Sequence, residues 1–206
     1  SWTDFGVPAA TDFIKQGYVL VATDYQGLGG GGKHQYNNSA TQTRDMFDSI
    51  RAVGSMGLSG SNKKALIYGW SQGGGAVLAA AGSSAYLNKK NTAFDGVELV
   101  GAVALAPMDV NAVFPAGIEK DQAASTKALQ GLIEQFSSNV FNFAHATMTL
   151  WAMEGTYPEL KMTDLFTADG VAKMNAIYSK KCMHAGADTM NFAVGHGWAL
   201  SAAADG

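Results

Sequence analysis

One serine in this chain stands in a setting that could make it react. In Ile67-Tyr68-Gly69-Trp70-Ser71-Gln72-Gly73-Gly74-Gly75-Ala76 it lies among four glycines, between an apolar run and a string of alanines. A serine hydroxyl is a weak nucleophile and attacks an acyl carbon only when a base and an oxyanion donor are placed around it. The backbone device that does this is a sharp strand-to-helix turn, the nucleophile elbow, in which the residues two before and two after the serine are nearly free of side chain. Gly69 and Gly73 meet that condition. Ser71 is therefore the expected nucleophile, and the backbone N–H of Gln72 the expected oxyanion donor. A bare Gly-x-Ser-x-Gly arises by chance about 0.2 times in a chain this rich in glycine and serine, so the flanking elements must carry the reading. The bland competitor is a tight turn whose serine caps a helix.

The acid and the base should follow the serine in the order Asp or Glu, then His. Asp188 and His196 in "GADTMNFAVGHGWAL" have that order, and Gly195 and Gly197 set the imidazole on a loop. No apolar strand precedes Asp188 to bring it to a sheet edge, so His196 reads more readily as a surface histidine. His34 precedes the serine on a Gly-rich loop, and His145 and His184 lie in helical or basic surroundings. The triad acid and base are accordingly expected outside this chain, with Asp188 and His196 as the in-chain alternative.

Other chemistries find less support. The net charge is −3, and the only basic runs are the pairs Lys63-Lys64, Lys89-Lys90 and Lys180-Lys181, which argues against a nucleic-acid partner. Gly27, Gly29 and Gly32 satisfy Gly-x-Gly-x-x-Gly, but the loop continues into Lys33-His34-Gln35-Tyr36 instead of opening a helix on a pyrophosphate. The single cysteine, Cys182, allows no internal disulfide, and Cys-Met-His lacks metal-ligand spacing. A buried or inert thiol is expected there, with pairing outside the chain as the alternative. Neither a metal nor a cofactor is expected. No apolar run approaches the roughly 20 residues of a membrane span, and the start Ser1-Trp2-Thr3-Asp4 has neither a basic n-region nor an initiator Met, so an upstream segment is expected to have been removed.

The elements that must position Ser71 alternate. Residues 18–25, YVLVATDY, form an apolar, β-branched run expected as a strand covered on both faces. Met46, Phe47, Ile50 and Val53 give residues 40–54 one apolar helical stripe, with Asp45, Asp48 and Arg51 between them and Gly54 and Gly57 closing the helix. Residues 65–69 are a second expected strand, 76–85 a helix of small residues, and 97–106 a third strand halted by Pro107. This β-α-β-α-β order implies an α/β domain with a mainly parallel sheet. From residue 108 the rhythm changes to amphipathic pieces such as 128–136 and 171–178, and a mostly helical second part is expected.

The segments "GYVLVATDYQGLG", "YGWSQGGGA" and "GAVALAP" resemble the secretory lipase family of α/β-hydrolases. The resemblance covers residues 1–110 and implies an incomplete α/β-hydrolase core over 1–107, a parallel sheet flanked by helices, followed by a helical lid or cap over 108–206. It maps the nucleophile onto Ser71 and the first oxyanion donor onto the Gln72 backbone, and it sets the second donor upstream of residue 18. The Gly-rich loop becomes a mobile loop near the active-site mouth. The chain would then be an internal part of a larger secreted serine esterase or lipase, acting on a small-molecule or lipid ester, touching a lipid interface, and joined to the remaining segments of that hydrolase. Phe114, Phe136, Phe141, Phe143, Met148, Trp151 and Met153 could line an acyl-chain pocket, although residues at such spacings are more often plain core. The same elbow serves peptidases, thioesterases and acyltransferases. The alternative from another class is a non-catalytic hydrolase-like scaffold, favoured by the missing acid and base and opposed by the intact elbow.

Overall fold

A computed structural model describes residues 7–57, 64–90, 98–108, 116–137 and 140–193. The chain divides into two compact units, Ser1–Gly32 with Asn37–Met108, and Lys33–Tyr36 with Asp109–Gly206. The first unit is α/β and the second helical.

In the sheet unit, helices α1 (Ala10–Lys15) and α2 (Ser39–Ser55) precede strand β1 (Lys64–Trp70), and α3 (Gln72–Gly82) and the short α4 (Ser84–Leu87) lead to strand β2 (Glu98–Leu105). The two strands pair in parallel, with Ile67 opposite Ala102 and Gly69 opposite Ala104. Helix α2 begins where Asn38 turns its side-chain oxygen onto the free N–H groups of Ala40 and Thr41. It runs through Gly54, and Gly57 then takes a left-handed φ of 66°. Its stripe behaves as expected at Phe47, which is fully buried with Ile67, Val77 and Ala80, while Met46 and Ile50 pack at the margin of that cluster. Helix α3 lies close on the sheet because Gly73, Gly74 and Gly75 in its first turn carry no side chains. A Cβ on Gly74 would stand 2.7 Å from the Leu105 carbonyl oxygen, and one on Gly75 would run into the Met108 carbonyl.

One expectation for this unit fails. Residues 18–25 are not a strand: among the described residues the sheet consists of β1 and β2, and a lone strand has no ladder to hold it. Tyr18, Val19 and Val21 leave about half of their surface exposed. Local contacts replace the ladder. The Tyr18 N–H donates to the Phe13 carbonyl, its ring meets Phe13 edge-on at 5.6 Å, and Phe13 lies 5.3 Å from the Tyr68 ring. Arg51, one of the charged residues set between the apolar positions of α2, is buried, since it lies four residues after Phe47 on the same helix face. Its guanidinium donates to the Asp48 carboxylate at 2.9 Å and to the Tyr86 carbonyl at 2.8 Å, so the last carbonyls of α4 are satisfied by a side chain from α2.

The helical unit is built from α5 (Gln122–Ser137), α6 (Val140–Met153), α7 (Ala168–Tyr178) and α8 (Met183–Ala193), with short 3-10 turns at Ile118–Lys120 and Met162–Asp164. Helix α6 is central and touches α5, α7 and α8. Ala144, Thr147, Met148, Trp151 and Ala152 repeat at steps of three and four, one apolar face of a helix, and all are buried. They meet Met162, Phe166, Met174, Ile177 and Tyr178 in one core. Its polar atoms are paired, as a dry interior requires. The Thr147 hydroxyl donates to the Phe143 carbonyl and lies 2.6 Å from the Tyr178 hydroxyl, and the Trp151 indole N–H donates to Asn175 Oδ1 at 2.7 Å. Burial pushes the Tyr178 phenol well up from its usual range.

Of the aromatic and Met residues weighed for an acyl pocket, Phe143, Met148 and Trp151 belong to this core. Phe136 and Met153 are half-buried. Phe114 and the side chain of Phe141 lie outside the described residues. Cys182 is exposed, against the expectation of a buried thiol, because it follows the exposed pair Lys180-Lys181 beyond the end of α7.

Candidate active site

Ser71 is the single residue between β1 and α3, and its backbone stands at φ 55°, ψ −114°. A left-handed φ strains any residue with a Cβ, and such strain persists only where the surroundings impose it. Here they do so sterically and by hydrogen bonds. A Cβ on Gly69 would run into the Gly73 backbone, so the turn closes only with glycine at Gly69. The Ser71 N–H donates to the Leu105 carbonyl at 3.0 Å, and its carbonyl accepts the N–H groups of Gly75 and Met108, each at 3.0 Å. The serine main chain is thereby tied to the end of β2 as well as to its own helix. Its side chain caps no helix N–H, so the capping role that would explain a serine here is not in use.

A helix start leaves its first N–H groups without intrahelical partners and carries a partial positive charge. At α3 these groups include the Gln72 N–H, next to the serine. They form a ready-made cradle for an oxyanion. The Gln72 side chain is part of the packing, and its Nε2 is buried without a hydrogen-bond partner among the described residues.

Tyr25 was not singled out by sequence reasoning, and the structure sets it near this turn. The Tyr25 hydroxyl is 4.0 Å from where a Cβ on Gly73 would be. Asp45 on α2 accepts the Gln26 N–H at 2.9 Å and so pins the residues beside Tyr25. Burial, with the Asp45 carboxylate adding to it, pushes the Tyr25 phenol up to about 12, so it stays protonated at neutral pH. The signal that could have found Tyr25 is its place at the end of the 18–25 apolar run, directly before the Gly-rich loop.

The structure brings Ser71 and Gln72 together at this turn. Asp188 lies in the helical unit, exposed on α8, and His196 lies outside the described residues. His34 is buried in the helical unit, His145 is half-buried on α6, and the side chain of His184 is outside the described residues. Gly27, Gly29 and Gly32 take left-handed φ values of 84°, 73° and 99°, a series of turns with no helix opening from it. Among the described residues no group of three or more His, Cys, Asp or Glu could hold a metal ion.

The model of the secretory lipase family matches residues 7–138, a span that contains the whole elbow. The chain belongs to the secretory lipase family. No curated protein and no solved structure matches it. Membership implies lipase activity on a lipid ester and suggests secretion. Among the described residues no helix is long and apolar enough to cross a membrane.

Proposed function

We propose that this secretory lipase chain carries the nucleophile of a serine carboxylic-ester hydrolase. The observation that carries the reading is the strained Ser71 between β1 and α3, with its hydroxyl free of any capping bond and the Gln72 N–H beside it. In the proposed reaction Ser71 Oγ attacks the ester carbonyl carbon and gives its proton to the triad base, while the carbonyl oxygen, now negative, takes the Gln72 N–H. The C–O bond to the alcohol then breaks, the base protonates the departing oxygen, and water repeats the sequence on the acyl-enzyme. We assign the acid and the base to residues outside this chain, with Asp188 and His196 as the in-chain alternative. The exposed helical setting of Asp188 supports that order of preference, since the acid of such a triad follows a strand. Residues 1–107 serve in this reading as an α/β-hydrolase core segment and 108–206 as a lid or cap. The substrate is a lipid ester met outside the cell.

A fluorophosphonate tests this directly, because it phosphonylates only an activated serine. Intact mass of the full-length hydrolase, which supplies the acid and the base, should rise by one phosphonyl group, and Ser71→Ala should abolish the adduct while leaving the circular dichroism spectrum unchanged. Residues 1–206 alone should gain none, an adduct on them would favour Asp188 and His196 as acid and base, and an unreactive full-length protein would be the hydrolase-like scaffold instead.

A further inference from the structure

Four residues of the N-terminal half, Lys33–Tyr36, belong structurally to the helical unit. Their sequence, Lys-His-Gln-Tyr after a run of glycines, is that of a surface loop, yet His34, Gln35 and Tyr36 are all nearly fully buried. Tyr36 is a member of the core formed by α6 and α7, and its ring faces His34 at 5.9 Å and His145 at 6.3 Å. The Lys33 ammonium reaches Glu154 Oε2 at 2.9 Å and sits 4.4 Å above the Trp151 ring. Glu154 Oε1 in turn accepts the Met162 N–H, so one carboxylate joins Lys33 to the turn that follows α6. The Thr156 hydroxyl donates to Gln35 Oε1, and a Cβ on Gly155 would run into the Gln35 amide. Gly155 is therefore shaped to receive Gln35. Left-handed residues stand on both sides of the segment, Gly32 at φ 99° before it and Asn37 at φ 57° after it.

We propose that Lys33–Tyr36 is a clasp that completes the helical unit, so that the packing of α6 and α7 depends on residues supplied from the N-terminal half of the chain. The left-handed turns at Gly32 and Asn37 are what let the chain enter that core and leave it within four residues. Lys33 and Gln35 bond within the helical unit and Tyr36 belongs to its core, so releasing the clasp should loosen that unit while the elbow keeps its own hydrogen bonds. The inference goes beyond the esterase reading and stands whether or not Ser71 is the nucleophile.

Hydrogen exchange read by mass spectrometry on the full chain tests it. Tyr36→Ala should raise amide exchange in α6 and α7 by about tenfold or more while α2 and α3 keep their wild-type rates. Lys33→Met, which keeps an unbranched apolar side chain and removes the ammonium from Trp151 and Glu154, should raise exchange at Glu154–Met162 by a few-fold, on the order of three. Unchanged α6 and α7 in both variants would overturn the proposal, as would a rise in α2 in step with them, which marks a general loss of stability. If Tyr36→Ala yields no folded protein, Lys33→Met decides alone: a rise confined to the region of Glu154 and Met162 supports the clasp, and none overturns it.

Discussion

In the sheet unit the buried cluster holds Phe47, Ile67, Val77 and Ala80, while Trp70, Val100, Val103 and Leu105 stay open; in the helical unit Phe143, Met148, Trp151, Met162, Phe166 and Met174 are all shut in one core. Close contact in the sheet unit is concentrated at the elbow, where Gly69, Gly74 and Gly75 leave no room for a Cβ. In the helical unit it is spread over whole helix faces. A strained residue such as Ser71 needs rigid support only from its immediate neighbours, whereas a bundle draws its stability from the full length of each apolar stripe.

The contrast can be broken most forcefully at Met174, which is fully buried in α7. Met174→Ala should cost about 2–5 kcal/mol in urea unfolding, with the loss of exchange protection confined to α6–α8. A matching loss in α2 would show that the two units unfold as one. Next comes the elbow. Gly74→Ala pushes a methyl against the Leu105 carbonyl and Pro107, and should cost about 1–3 kcal/mol while slowing phosphonylation of Ser71, read as the second-order labelling rate. The open strand should be far more tolerant. Val103, 45% exposed on β2, should accept Thr within about 0.5 kcal/mol by thermal denaturation, and a cost above about 1.5 kcal/mol would mean that its face is covered.

The smallest effect is electrostatic and belongs to the helical unit. The hydrogen bond from Lys33 holds the Glu154 carboxyl below the usual carboxylate range, aided by the Met162 N–H and opposed by burial. A depressed value means that this pair stabilises the folded state above the unfolded carboxyl's titration, near pH 4.5, and that the contribution fades as pH falls through the folded value. Because the pair is partly solvated, the loss should stay under about 1 kcal/mol. Glu154→Gln should remove that step from the acid limb of a stability–pH curve and leave the neutral plateau only slightly lower.

How much of this was legible in the sequence follows the range of the forces involved. The elbow could be read because its rule is local: glycine two residues either side of the serine, with a strand before and a helix after, both visible in their own periodicities. β1, β2 and α2 were legible for the same reason. Residues 18–25 misled because apolar, β-branched composition says only that a segment would suit a strand, while a strand exists through partners elsewhere. The carbonyl that holds the buried Arg51 was out of reach of local pattern, because its partner, Tyr86, is 35 residues away. The burial of Lys33–Tyr36 was invisible for the same cause on a larger scale, since the partners of Lys33 and Gln35 lie 121 residues further along the chain.

The hydrogen bonds that join Ser71 to Leu105 and Met108 also bear on how this chain can vary over time. They fix the number of residues between the end of β2 and Met108, because adding or deleting one there would draw the serine out of its turn. Insertions after Met108 would not touch those bonds. Length variation among relatives should therefore begin immediately beyond Met108, and grafting of foreign segments onto this scaffold should start there too.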